Sequence, residues 1–179
     1  TLNNMPFSPD VICSIYYRNI FSEDIIRAVK NKIFNLHPSL LPKYRGCSSL
    51  TWAMINGEKK AGFSYHFINN KVDTGNIIIQ KEEPIYEYDT QTSLYNSVMF
   101  KALDHFYEAL DYVLNDGKGY KQNGIDSYYS RGCPYNGELQ NSWSKEKKER
   151  FIRAMIFPPL PQATFQGKNI YSIDEIDGK

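Results

Sequence analysis

Residues suited to cross-linking or metal ligation are scarce in this 179-residue chain. Cys13, Cys47 and Cys133 are odd in number and far apart, which excludes a disulfide framework or a zinc knuckle and suits a reducing compartment. The three histidines, His37, His66 and His105, are as scattered, so no metal site is expected. No apolar run is long enough to cross a bilayer, and the opening TLNNMPFSPD has neither the basic start nor the apolar core of a signal peptide. The expectation is a soluble, cytoplasmic protein. Excess charge is also lacking: 21 Lys and Arg against 20 Asp and Glu leave a net +1. The one basic block, Lys145 to Arg153, is interrupted by Glu146 and Glu149, which argues against a nucleic-acid binder held by phosphate contacts. Repeats and low-complexity segments are absent. What remains is the composition of a small-molecule enzyme, with room for one well-buried domain and a small appendage.

The run Asp10 to Tyr16 is apolar enough for a strand covered on both faces. Ser22-Glu23-Asp24 predicts a helix start, with Ile25, Ile26 and Val29 facing inward to about Asn31, and Ile33 to Leu36 supplies the next strand. Strand, helix, strand at this spacing is a βαβ unit. Ser48 or Ser49 is expected to cap a helix ending at Asn56-Gly57, and Ala61–Ile68 and Asn76–Glu82 read as strands flanking a polar loop. One long helix is predicted from Gln91 to Asn115, with Leu94, Val98, Ala102, Leu103, Phe106, Leu110, Val113 and Leu114 as its apolar positions. Past Gly117 the texture turns to Gly, Pro, Tyr and Asn, with a helix near 144–154 and a hairpin around Gly167-Lys168. The domain reading is a catalytic domain at 1–117 and a small α+β region at 118–179. His66 and His105, on a strand and a helix, are given structural roles. Phe157, Phe165 and Tyr171 are read as closing a small core.

The most informative stretch is Phe34 to Gly46, FNLHPSLLPKYRG. Pro38 ends the strand at His37, and Asn35 and His37, two apart, project from one face at the carboxyl end, where open α/β sheets place ligands. Two prolines, two cations and a glycine then make a stiff loop. Downstream, Asp73 lies on the polar loop closed by Gly75. Taken alone, a histidine before proline is usually structural; the ordered set of amide, imidazole, double-proline loop and later carboxylate is what points to chemistry.

The segments Asn35-Leu36-His37-Pro38-Ser39-Leu40-Leu41-Pro42 and Val72-Asp73-Thr74-Gly75 resemble the folate-dependent formyltransferases. The likeness runs from about Asp10 to Asn115 and continues more weakly to Tyr171 in the manner of the nucleotide-sugar N-formyltransferases. It implies an α/β, Rossmann-like formyltransferase fold, and because the family carries further βα units ahead of Asp10, a form lacking its first βα units is expected. It implies transfer of a formyl group from N10-formyltetrahydrofolate to the amine of a nucleotide-linked amino sugar in polysaccharide biosynthesis, without metal or membrane, in a chain compatible with a homodimer. Asn35, His37 and Asp73 would be catalytic, Asp73 favouring the cationic imidazole. Tyr16, Tyr17, Arg18, Asn19, Ile20, Asn70 and Val72 would bind the folate. Pro38, Ser39, Lys43, Tyr44, Arg45 and Gly46 would meet the acceptor. The alternatives are a methionyl-tRNA formyltransferase, for which tRNA would be the partner, and a truncated non-catalytic module.

Overall fold

The computed structural model of the chain describes residues 9–158 and 160–177. The first eight residues, read above for a signal peptide, and Pro159 lie outside the described residues. The chain forms β1 (Ile12–Ile15), α1 (Glu23–Ala28), β2 (Ile33–His37), a two-residue β3 (Arg45–Gly46), α2 (Ser49–Ile55), β4 (Lys60–Phe67) and β5 (Ile77–Pro84). The main sheet has the order β1-β2-β4-β5. β1 and β2 pair in parallel, Ile12 opposite Ile33, as the βαβ reading requires, while β4 and β5 pair antiparallel. The result is a mixed sheet.

Its two faces divide the labour. Phe34 and Leu36 of β2 and Phe63 and Tyr65 of β4 are buried with α3 (Gln91–Asp104) and α4 (Phe106–Leu114), whose Leu94, Val98, Ala102, Ala109 and Val113 complete the core. A fully buried Val or Leu of this kind stabilises the fold by roughly 1.5–3 kcal/mol. On the other face Ile33 meets Ile26 and Val29 in a smaller cluster. Next along β2 on that same face come Asn35 and His37, and no helix takes them up as α1 does Ile33.

Two local readings differ from expectation. The helix predicted as continuous from Gln91 to Asn115 breaks at His105, without Gly or Pro. The Nδ1–H of His105 donates to the Lys101 carbonyl at 2.9 Å, and the Tyr65 hydroxyl donates to the Ala102 carbonyl at 2.9 Å, so two acceptors of the helical ladder are held by side chains. Leu103 and Leu114, expected in the core, are exposed. At α2, neither serine hydroxyl caps the helix: Ser48 adopts a left-handed conformation, and the hydroxyl of Ser49 donates to the Pro38 carbonyl at 2.8 Å.

The C-terminal region is built onto this frame. β6 (Tyr128–Tyr129) pairs in parallel with β3. α5 (Lys145–Ala154), capped by the Ser144 hydroxyl, packs on α2 and buries Phe151, Ile152 and Ala154 in the main core. A hairpin of β7 (Thr164–Phe165) and β8 (Lys168–Asn169) precedes a last short helix, α6 (Asp174–Asp177).

The Tyr65–Ala102 bond yields a stability prediction. Tyr65→Phe removes one of the two hydrogen bonds to the Ala102 carbonyl, which still accepts the His105 N–H, and is expected to lower unfolding stability by about 0.5–1.5 kcal/mol in urea titrations. No change would show that this bond is not what holds the end of α3.

Candidate active site

β2 and β4 assemble the site by register. Asn35 lies opposite His66 and His37 opposite Ser64, so all four side chains share one face. Ser64 in turn lies opposite Gln80 of β5. Gln80 donates to the Ser64 hydroxyl at 2.8 Å and the Leu41 carbonyl at 2.9 Å, and Ser64 donates to the Ser39 carbonyl at 2.7 Å. This polar row pins the proline loop, in which the Leu41–Pro42 peptide is cis, onto the sheet. A register shift between Tyr65 and His66 in the β4–β5 pairing marks where the strand delivers His66 to the rim.

Asp73 reaches the same point from the β4–β5 loop. Its Oδ2 accepts the Gly46 N–H at 2.8 Å and lies 3.5 Å from His37 Nδ1, while its Oδ1 lies 3.5 Å from His66 Nε2. The structure therefore brings together Asn35, His37 and Asp73, and adds His66. Gly75 is required beside them: a Cβ there would stand 1.7 Å from the Phe67 carbonyl oxygen. Gly46, at φ +90°, would set a Cβ 2.1 Å from the Tyr129 carbonyl oxygen. The close approach that Gly46 permits is made to the Tyr129 backbone.

Hydrogen bonds fix the imidazoles. His37 Nε2–H donates to the Tyr44 carbonyl at 2.8 Å, which leaves Nδ1 as the lone-pair nitrogen facing Asp73. His66 Nδ1–H donates to the Phe67 carbonyl at 2.8 Å, so its Nε2 accepts from the Asn35 amide at 3.2 Å. One N–H of Asn35 is thereby spoken for, and the other borders the cleft. Burial pulls the pKa of His37 below its ordinary value, outweighing the upward pull of Asp73 and of the Tyr44 carbonyl. Asp73 does favour the cation, but burial outweighs it and the resting imidazole is neutral. For Asp73 burial acts upward, but the nearness of the His66 and His37 imidazoles and the Gly46 N–H prevail and bring it to about 2.

The four residues border a cleft of about 1030 Å³, at the upper end of the roughly 300–1,000 Å³ usual for small-molecule sites. Tyr16, Tyr17, Arg18, Asn19, Ile20 and Val72 line it, as do Pro38 and Gly46. Asn70 does not; it is exposed, and its neighbour Asn69 organises the turn by accepting from the Lys71 N–H and the Thr74 hydroxyl. Ser39, Lys43, Tyr44 and Arg45 are also outside the cleft. Ser39 is buried and bonds the Lys43 carbonyl, Lys43 and Tyr44 both meet Glu58, and Arg45 is taken by Gln122 and Asp126. The cations on the cleft wall are instead Arg18, Lys71 and Arg131. Phe157, read as core, borders the cleft against Tyr95. The role missed outright is that of His66, whose one sequence signal is its position seven residues before Asp73.

A pH prediction follows from His37. A buried imidazole with a lowered pKa contributes stability that is fully present above the unfolded value of about 6.5 and is lost as pH falls through the folded value. Urea midpoints should therefore drop below about pH 6.5, and His37→Asn should flatten that drop. An unchanged slope in the variant would remove His37 as its source.

With the geometry in place, comparisons with known proteins identify the frame. The formyl transferase family model matches residues 3–110. A GDP-perosamine N-formyltransferase of Brucella melitensis is 40% identical over 173 residues, covering 96% of this chain and 66% of the relative. Among solved structures, WlaRD, a sugar 3N-formyltransferase determined with dTDP and 5-N-formyl-THF, superposes with a TM-score of 0.79 at 30% identity, covering 90% of this chain and 59% of its own. An N-formyltransferase from Helicobacter canadensis, in complex with folinic acid and dTDP-3-aminofucose, gives 0.78 at 28% identity, covering 90% of this chain and 60% of its own. The chain thus spans about two thirds, or slightly less, of the length of these relatives. The Rossmann-like formyltransferase fold is shared with them, and by sequence and fold the chain belongs to the formyl transferase family.

Proposed function

We propose that this chain carries the formyl-transfer centre of a nucleotide-sugar N-formyltransferase, which moves a formyl group from N10-formyltetrahydrofolate to the amine of a nucleotide-linked amino sugar. The observation that carries the reading is the meeting of Asn35, His37 and Asp73 at the rim of the cleft, in a chain 40% identical to a sugar N-formyltransferase. Work on cell-surface polysaccharide in the cytoplasm is part of the proposal. Consistent with it, no helix among the described residues is long and apolar enough to cross a membrane.

The cleft suits a folate. Tyr16, Tyr17, Ile20 and Val72 offer ring and aliphatic surface, and the loop backbones around Arg18 and Asn19 offer polar groups. When bound, the folate supplies the formyl group. The free N–H of Asn35 lies where it can donate to an oxygen gaining negative charge; a donor of this kind is worth roughly 3–4 kcal/mol at the transition state. The lone pair on His37 Nδ1 takes the proton released by the attacking amine. The Asp73 carboxylate, 3.5 Å away, stabilises the imidazolium only once it forms, because burial keeps the resting ring neutral. His66 fixes which way the Asn35 amide points. Arg18, Lys71 and Arg131, none ion-paired among the described residues, supply positive charge for the diphosphate of the acceptor.

The test is formyl transfer by the whole protein to GDP-, dTDP- and UDP-linked amino sugars. Asn35→Ala, His37→Ala and Asp73→Ala should each lower kcat by about a hundredfold or more with little change in KM. Near-normal turnover in His37→Ala would show the base to be misassigned. Activity confined to charged initiator tRNA would reject the sugar acceptor.

A further inference from the structure

Asp73 holds a left-handed backbone conformation, φ +51°, unusual for a residue with a side chain. Two carbonyls of its loop, those of Asp73 and Gly75, both accept from one group: the Nε2 amide of Gln122, at 2.8 and 2.9 Å. The other end of that amide is equally committed. Its Oε1 accepts from Nε and Nη2 of Arg45 at 3.2 and 2.6 Å. A guanidinium can only donate, so the orientation of the Gln122 amide is fixed and its N–H groups face the Asp73 loop.

Gln122 sits midway along an irregular strap, residues 118–129, anchored at both ends. At one end Asn76 donates to the Lys118 carbonyl and Ile77 exchanges backbone bonds with Tyr120. At the other, the Ser127 hydroxyl accepts the Tyr44 N–H at 2.8 Å and the Ser127 carbonyl accepts the Arg45 N–H at 2.9 Å. Tyr129 stacks on Tyr44, ring centroids 5.7 Å apart. Tyr44 is itself left-handed, φ +60°, and its carbonyl is the acceptor that fixes the tautomer of His37. Both partners of His37 are thus placed from one stretch of chain outside the family-matched segment.

We propose that Gln122 is a positioning residue for proton transfer: through the Asp73 and Gly75 carbonyls on one side and Arg45 on the other, it sets the distance between the Asp73 carboxylate and His37. Arg45 on this reading serves the loop from within and not the acceptor. The inference deepens the formyl-transfer reading and rests on it for the name of the reaction, but its structural content stands apart.

Two variants isolate the interaction. Gln122→Glu keeps the length and the acceptor for Arg45, now as an ion pair, and replaces the donors to the loop by a carboxylate oxygen that faces its carbonyls. Gln122→Met removes both sides without adding charge. Asp126→Asn is the control, because it cuts the exposed Arg45–Asp126 pair and leaves Gln122 intact. The groups facing His37 are Asp73 from the loop, His66 from β4 and the Tyr44 carbonyl. Release of Asp73 in Gln122→Met should therefore lower the His37 pKa, read from the ring nitrogens by NMR in the whole protein. It should also lower kcat on the order of ten- to a hundredfold with KM little changed. Gln122→Glu should lose kcat comparably while its urea midpoint stays near that of the parent, and Asp126→Asn should match the parent in all readouts. A His37 titration unaltered in Gln122→Met, or full kcat in Gln122→Glu, overturns the proposal. If the parent transfers no formyl group at all, the reaction assignment fails while the NMR titration still decides the positioning role.

Discussion

A carboxylate removed from water between two imidazoles is the constraint around which this structure is arranged. Taking such an ion out of solvent costs several kcal/mol unless its oxygens find donors. For Asp73 the donor is the Gly46 N–H, with both imidazoles 3.5 Å away, and its pKa is held down at about 2. Other features follow from it. The carboxylate can approach only if its loop passes tightly under the Phe67 carbonyl, which demands Gly75, and its donor at position 46 sits at φ +90° against the Tyr129 carbonyl, which demands Gly46.

The sheet meets the same constraint by separating its faces. Phe34, Leu36, Phe63 and Tyr65 keep the fold together from one side, while Asn35, His37, Ser64, His66 and Gln80 hold chemistry and loop on the other. Buried polar groups are tolerable only when paired. Among the described residues none of the buried side-chain nitrogens or oxygens lacks a partner. That satisfaction makes the face rigid: each histidine has one ring nitrogen fixed by a backbone carbonyl, so its remaining nitrogen is set before any substrate arrives.

The sequence made parts of this visible where the cause was local. Asn35 and His37 stand two apart at a strand stopped by proline, and Asp73 lies in a stretch too polar for any other element, so strand period and turn chemistry sufficed. His66 was hidden because β4 alternates like any half-buried strand, and only the β2–β4 register puts it opposite Asn35. Lys43 and Arg45 misled for a similar reason. Cations beside a glycine look available, yet their partners Glu58, Gln122 and Asp126 lie 15 to 81 positions away. The break at His105 escaped because a side chain capturing a carbonyl four residues back leaves no mark on the hydrophobic pattern.

The strap also has a bearing on how such a protein changes over generations. It engages the loop through main-chain carbonyls and a single amide, so most of its other side chains are under no chemical obligation to the centre. Tyr128 near its end and Arg131 and Gly132 just beyond it form one wall of the cleft. The shape of that wall can drift from one descendant to the next while the buried carboxylate and its two histidines are left undisturbed.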